Sequence, residues 1–176
     1  MLQHASFPRI FALLHIAGLS ALLSACSASP FAITFGDSVL YTPNATARNS
    51  LLSDPALQGC LNSLLDSVEG ANPANVKLLA CPGAGVETLE GIAALPQLEQ
   101  LELSGNLISD IAPLTSLKSL RVLSLRDNRV GNIGTLDSLP ILRFVSLQGN
   151  DGISCRQLDT LQARLGNTLN RPTSCL

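Results

Sequence analysis

Three asparagines, Asn106, Asn128 and Asn150, stand 22 residues apart, and the apolar residues around them keep the same interval. Leu98, Leu101, Leu103, Asn106 and Ile108 return as Leu120, Leu123, Leu125, Asn128 and Val130. A third copy reads Leu142, Val145, Leu147, Asn150 and Gly152, with Ile153 one place late. An earlier copy is degenerate but in register. Val76, Leu79, Cys81, Val86, Leu89, Ile92 and Leu95 precede Leu98, Leu101, Leu103, Ile108, Ile111, Leu114 and Leu117 by 22, with Ala84 in the asparagine slot. A fixed period of this length predicts a solenoid of stacked coils, because one such unit cannot bury its apolar face alone. The coils run over residues 76–97, 98–119, 120–141 and 142–153, the last one truncated.

Around the middle of each copy, apolar residues alternate with others, which predicts a short strand burying every second side chain. Stacking places these strands in a parallel sheet. Its inner face buries Leu101, Leu123 and Val145 in one ladder and Leu103, Leu125 and Leu147 in another. Each asparagine then ends a strand in a tight turn, where its amide can bond backbone groups left unpaired. That makes the asparagine ladder structural. Four outward columns remain. One reads Leu78, Gln100, Val122, Phe144, and beside it runs Lys77, Glu99, Arg121, Arg143. The other two read Ala80, Glu102, Ser124, Ser146 and Pro82, Ser104, Arg126, Gln148. Val122 and Phe144 are therefore expected as exposed apolar groups flanked by Arg121, Arg143 and Arg126. An aromatic with neighbouring arginines is the usual makeup of a binding hot spot. The plainer alternative packs Phe144 on its neighbours or under the C-terminal cap, with the arginines as a solvated face.

The return half of the coil is most regular in Ile108-Ser109-Asp110-Ile111-Ala112-Pro113-Leu114 and the following Leu117. This resembles the leucine-rich repeats of internalins and related 22-residue families. Val130-Gly131-Asn132-Ile133-Gly134-Thr135-Leu136 keeps the apolar positions but lacks the proline. The resemblance covers about half of the chain beyond residue 25. It implies an α/β fold, a short leucine-rich-repeat solenoid with the parallel sheet on its concave face and 3-10 turns on its convex face. It also makes a binding role the expectation, without naming a ligand, since contact residues are no part of the repeat motif.

The flanks are expected to close the stack. Asp54 is placed to cap a helix with Pro55 at its first position. Leu57, Cys60, Leu61, Leu64, Leu65 and Val68 follow at helical spacing, and Gly70 supplies a stop. Residues 51–75 thus form a helical N-terminal cap. At the other end Ser154-Cys155-Arg156-Gln157 can form a capping box. Leu158, Leu161 and Leu165 make the apolar face, Gly166 stops the helix and Pro172 prevents a restart, so residues 154–176 form a second cap.

Residues 1–25 read as a lipoprotein signal peptide. A weakly basic head precedes the apolar run at 10–23, which is about the length of a signal-peptide core and short for a membrane span. It ends in Leu23-Ser24-Ala25-Cys26, which resembles a bacterial lipobox. That resemblance implies acylation of Cys26. By the same resemblance, Ser27 rather than Asp after it implies retention at the outer membrane, with periplasmic and surface exposure both open. Removing 25 of the 176 residues would leave 151, enough for one domain. Residues 26–50 read either as a lipid tether or as a short β-hairpin across Gly36-Asp37.

Once Cys26 is set aside, Cys60, Cys81, Cys155 and Cys175 remain, and an even number in an exported chain argues for disulfides. Of three possible pairings, sequence proximity favours Cys60–Cys81 and Cys155–Cys175. No metal site is expected, because there is no Cys-x-x-Cys and the two histidines, His4 and His15, lie in the signal segment. The same absence argues against catalysis. Ile33-Thr34-Phe35-Gly36-Asp37-Ser38 resembles the first block of GDS-type serine hydrolases, but Ser38 would need a histidine base. No cofactor motif is present. Charge is uneven, with nine acidic and two basic residues over 26–110 against four acidic and eight basic from 111 onward. A net acidic chain disfavours nucleic acid as a partner. The reading is a non-enzymatic, lipid-anchored envelope protein that binds a protein partner through Arg121, Val122, Arg126, Arg143 and Phe144. The alternative is a structural accessory subunit of an envelope assembly, whose interface would be larger and more apolar.

Overall fold

Short alternating segments form strands in two separate units. The structure is a computed structural model that describes residues 33–35, 38–41 and 50–175. The apolar run at 10–23, Cys26 and the Gly36-Asp37 loop lie outside the described residues. β1 (Ile33–Phe35) and β2 (Ser38–Tyr41) pair antiparallel, with Phe35 opposite Ser38 and a register irregularity between Ile33 and Thr34. They belong to a unit distinct from residues 49–176.

In the second unit, helix α1 (Pro55–Ser67) leads into the repeats. Each repeat then supplies one strand: β3 (Leu78–Ala80), β4 (Gln100–Glu102), β5 (Val122–Ser124) and β6 (Phe144–Ser146). They pair in parallel at the 22-residue register, so Leu79, Leu101, Leu123 and Val145 stack behind one another and are buried. A fifth strand, β7 (Leu169–Asn170), extends the sheet through Val145 opposite Leu169. It follows helix α2 (Cys155–Leu165) and has no counterpart in the repeat pattern.

The chain returns on the far side through 3-10 turns at Ile92–Ala94, Ala112–Ser116 and Gly134–Ser138. Each buries one apolar residue, Ile92, Leu114 and Leu136 in turn. The third turn forms without the proline of the second. Its start keeps the side-chain bond that the second turn also makes: Gly134 N–H donates to Asn132 Oδ1 at 3.0 Å, as Ala112 N–H donates to Asp110 Oδ1 at 2.8 Å. The result is the short leucine-rich-repeat solenoid, with a five-stranded parallel sheet on one side and 3-10 turns on the other.

The asparagines join neighbouring coils. Asn128 Nδ2 donates to the Leu103 carbonyl one coil back (2.8 Å) and to the Leu125 carbonyl of its own coil (3.0 Å). Its Oδ1 accepts from the Ile108 N–H at 3.1 Å. Asn106 and Asn150 repeat the pattern on Cys81, Leu103 and Val86, and on Leu125, Leu147 and Val130. The residue before each asparagine slot is left-handed: Gly83, Gly105, Asp127 and Gly149 all have positive φ. Asp127 is the one non-glycine of that column, and aspartate is among the few side chains that tolerate the conformation.

The ends are sealed differently. At the N-terminus Asp54 Oδ1 accepts from the Ala56 and Leu57 N–H groups, capping α1. Its Oδ2 accepts from Glu87 and Thr88 of the first coil at 2.8 and 3.1 Å. One carboxylate thus caps the helix and ties it to the repeats. Cys60 of α1 and Cys81 after β3 form a disulfide across a Cα separation of 5.9 Å. The helix ends at Ser67, before Gly70. At the C-terminus Cys155 pairs with Cys175, Cα atoms 5.4 Å apart. Only half of the expected capping box forms. Ser154 accepts from Gln157 N–H, but the Gln157 side chain donates to Asn132 Oδ1 at 2.8 Å instead of reaching back. A partner in the preceding coil competes for the amide, and the cap is thereby docked to the stack.

Burial raises the Asp54 pKa, but four backbone N–H donors outweigh it and hold the carboxyl below the usual aspartate range. A lowered folded-state pKa stabilises the fold at neutral pH. That contribution is lost as pH falls below about 4, through the folded-state value. Asp54→Asn is therefore expected to lower the urea midpoint at pH 7 and to flatten the acid limb of the stability curve. An unchanged acid limb would exclude the linkage. Asn128→Ala leaves two buried carbonyls and the Ile108 N–H without their partner, and should cost about 3 kcal/mol in urea unfolding.

Candidate functional site

The sheet's outer face carries the side chains that the core does not use. β4, β5 and β6 are each entered by a bifurcated bond: the Lys77 carbonyl accepts from both Glu99 and Gln100 N–H, Glu99 from Arg121 and Val122, and Arg121 from Arg143 and Phe144. This departure from simple alternation turns two successive columns outward, the charged one and the one containing Phe144. Leu98, Leu120 and Leu142 immediately before them are buried.

Phe144 is 36 % exposed and Leu78, at the other end of its column, 51 %. Val122 between them is half-buried. Phe144 is the one aromatic residue after Tyr41. The repeat domain therefore keeps its single aromatic ring out of the core and on the sheet. Phe144 and Val122, adjoining apolar groups beside charged residues, make this end of the sheet a candidate interaction surface.

The five residues expected as a patch are only partly brought together. Val122 and Phe144 are direct neighbours across β5 and β6, and Arg121 and Arg143 precede them on adjoining strands. Arg126 lies four residues beyond Val122, about 13 Å along the strand direction. There it pairs with Asp127, Nε to Oδ2 at 3.0 Å. It therefore stands apart from the aromatic. Sequence spacing put Arg126 on the right face, but the column it occupies is the sheet's opposite margin. Arg121 is shared with Glu99 at 3.6 Å, and Glu99 also meets Lys77 at 3.1 Å. Arg143 has no carboxylate partner among the described residues.

The C-terminal cap adds residues that the repeat pattern could not reveal. A cleft of about 520 Å³ opens beside Arg143, walled by Pro140, Leu142, Arg164, Leu165 and Thr168. Arg164 is not free within it. Its guanidinium donates to the Leu139 and Leu136 carbonyls at 2.8 and 2.7 Å, closing the end of the third 3-10 turn. Thr168 Oγ1 donates to the Arg143 carbonyl, fixing the backbone under that side chain. A second, apolar cleft of about 380 Å³ lies at the other end of the same rim, between the end of α1 and Leu78. Among the described residues no cluster of three potential metal ligands occurs.

Residues 96–151 match the family model described as leucine rich repeat. Among solved structures, the chain is similar to an internalin (inlF) from Listeria monocytogenes, at 27% identity and a TM-score of 0.60, over 72% of this chain and 38% of that one. It is also similar to an internalin C2 (inlC2) from the same bacterium, at 27% identity and a TM-score of 0.53, over 58% of this chain and 48% of that one. The chain spans less than half the length of either. No curated protein matches it. The repeats are leucine-rich repeats of the internalin type.

The two arginines beside the cleft should separate cleanly in stability measurements. Arg164→Ala removes two charge-assisted bonds to backbone carbonyls and is expected to cost about 1–3 kcal/mol. Arg143→Ala should stay within about 0.5 kcal/mol, as for an exposed side chain with no partner to lose. Comparable losses in both would mean that Arg143 is also part of the framework.

Proposed function

We propose that this chain is a non-enzymatic binding module that takes a protein partner on the outer face of its repeat sheet and is held in the envelope by acylation of Cys26. The observation that carries the reading is Phe144. It is the domain's single aromatic, exposed on a backbone held by hydrogen bonds from both neighbouring strands. Arg143 stands next to it without a carboxylate partner among the described residues. A rigid aromatic beside an arginine loses little conformational freedom on binding, and such pairs dominate interface energetics. The internalin-type fold supports the same reading, since stacked coils offer an extended surface with no catalytic machinery of their own. Support for the anchor comes from the sequence alone: an apolar run followed by Leu23-Ser24-Ala25-Cys26. Several acyl chains on one cysteine suffice for stable attachment, and Ser27 favours the outer membrane.

The test uses the tagged chain in native envelopes, labelled with a palmitate analogue and then cross-linked. Cys26→Ser should lose the label and move to the soluble fraction; label retained on that variant would exclude the anchor. The wild-type chain should capture a discrete partner that an Arg143→Glu, Phe144→Ala variant of equal thermal stability captures at least about tenfold less well. Equal capture would move the interface off the sheet. Self-association of the acyl-free protein on gel filtration would favour a permanent structural subunit instead.

A further inference from the structure

The column Lys77, Glu99, Arg121, Arg143 alternates in charge until its last member. Glu99 divides its carboxylate between the cations on either side, 3.1 Å from Lys77 and 3.6 Å from Arg121. Arg143 follows Arg121 with nothing negative between them. Its N–H donates to the Arg121 carbonyl at 2.8 Å, so the two residues stand on adjoining strands about 5 Å apart. Like charges directly across adjoining strands destabilise a sheet. Both side chains reach solvent, and Arg143 has no carboxylate partner among the described residues. Val122 and Phe144 lie immediately beyond them on the same face. The cleft walled by Leu142, Leu165 and Thr168 opens on the other side of Arg143.

We infer that Arg121 and Arg143 form a carboxylate subsite, and that the partner presents an acidic side chain next to an apolar one. This rests on the binding reading above and specifies its partner's chemistry. The carboxylate seats between the two guanidinium forks and continues the alternation that Glu99 begins. The apolar neighbour lies over Val122 and Phe144. A guanidinium presents parallel N–H donors matched to a carboxylate, and two of them on adjoining strands cover both oxygens. Charge also sets the direction of approach. Residues 50–110 carry eight acidic residues and one basic one, and residues 111–176 carry four and eight. An acidic segment is therefore steered to the Arg143 end of the sheet and away from the α1 end.

The probe is a phage-displayed library of random dodecapeptides, selected on the purified full chain at low salt. The expected consensus has Asp or Glu within three residues of a large apolar side chain. Affinities of a selected peptide and its acid-to-amide counterpart are then measured by fluorescence polarisation on wild type, Arg143→Gln, Arg143→Lys and Phe144→Ala. Arg143→Gln should weaken binding of the acidic peptide about tenfold; neutralising the peptide's acid should cost more, because it also gives up the Arg121 contact, and Arg143→Gln should then weaken the neutralised peptide no further. Arg143→Lys should fall between. Peptides without an acid, or acidic peptides indifferent to Arg143→Gln but weakened by Phe144→Ala, would overturn the subsite and leave sheet binding standing. Peptides indifferent to both changes would sink sheet binding as well. Failure to enrich any peptide would overturn the subsite.

Discussion

Each coil after the first ends a strand in a turn whose carbonyls have no strand partner, and a buried asparagine supplies the missing donors. Asn106, Asn128 and Asn150 each bond a carbonyl of their own coil and one of the coil before, and accept an N–H from that earlier coil. A carboxamide has donors and an acceptor on one short side chain, so it can do all three at once. The left-handed residue before it aims the backbone so that these groups converge. A Cβ at Gly149 would run into the Asp127 side chain and backbone of the coil below. The 22-residue period is therefore enforced at one point per coil, and the leucine ladders follow from it.

A stack held by pairwise contacts between coils must be closed where the pairs run out. The first coil has Ala84 in the asparagine slot and no coil before it. Asp54 takes over there, spending one oxygen on α1 and the other on the first coil. At the far end Arg164 caps the third 3-10 turn, Gln157 reaches Asn132, and β7 covers the edge of β6. Each cap is also tied by a disulfide, Cys60–Cys81 and Cys155–Cys175. In a domain with few coils, closing a loop of about 20 residues in this way is worth roughly 3 kcal/mol in the chain-entropy picture.

With framework needs met by leucine, asparagine and the caps, the sheet's outer face is free to vary. Its polar residues partly satisfy one another: Lys77, Glu99 and Arg121 form a ladder, and Ser104 bonds Ser124 at 2.8 Å. Exposed pairs of this kind contribute little to stability, so their value lies in what they leave unpaired. Arg143, without a carboxylate partner among the described residues, and Phe144 stand side by side and next to the cap. Of the chain's eight cations beyond residue 110, Arg164 and Lys118 hold carbonyls, while Arg121, Arg126 and Arg171 meet carboxylates. The positive excess of that half is thus less available than its composition suggests.

The repeat was legible without coordinates because its rules are local and periodic. Leucine spacing, the asparagine slot, the degenerate first coil and the proximity of the cysteine pairs led to the solenoid, its register, its helical ends and the favoured disulfides. The return turn at Gly134–Ser138 was expected from the apolar spacing and the family resemblance despite its missing proline. What the tertiary structure decided were matters of reach and competition. Gln157 gives up its place in a capping box because Asn132 is nearer in space than in sequence. Arg126 shares a face with Phe144 but stands at the other margin of the sheet, beside Asp127. Arg121 is engaged by Glu99, and Arg164 and Thr168 reach Arg143's surroundings from a cap that does not obey the period. β7 belongs to the same class, a strand two residues long with no repeat to announce it. Periodicity determines which way a side chain faces; which long side chain finds which partner depends on distances across coils and caps, and those exist only once the chain has folded.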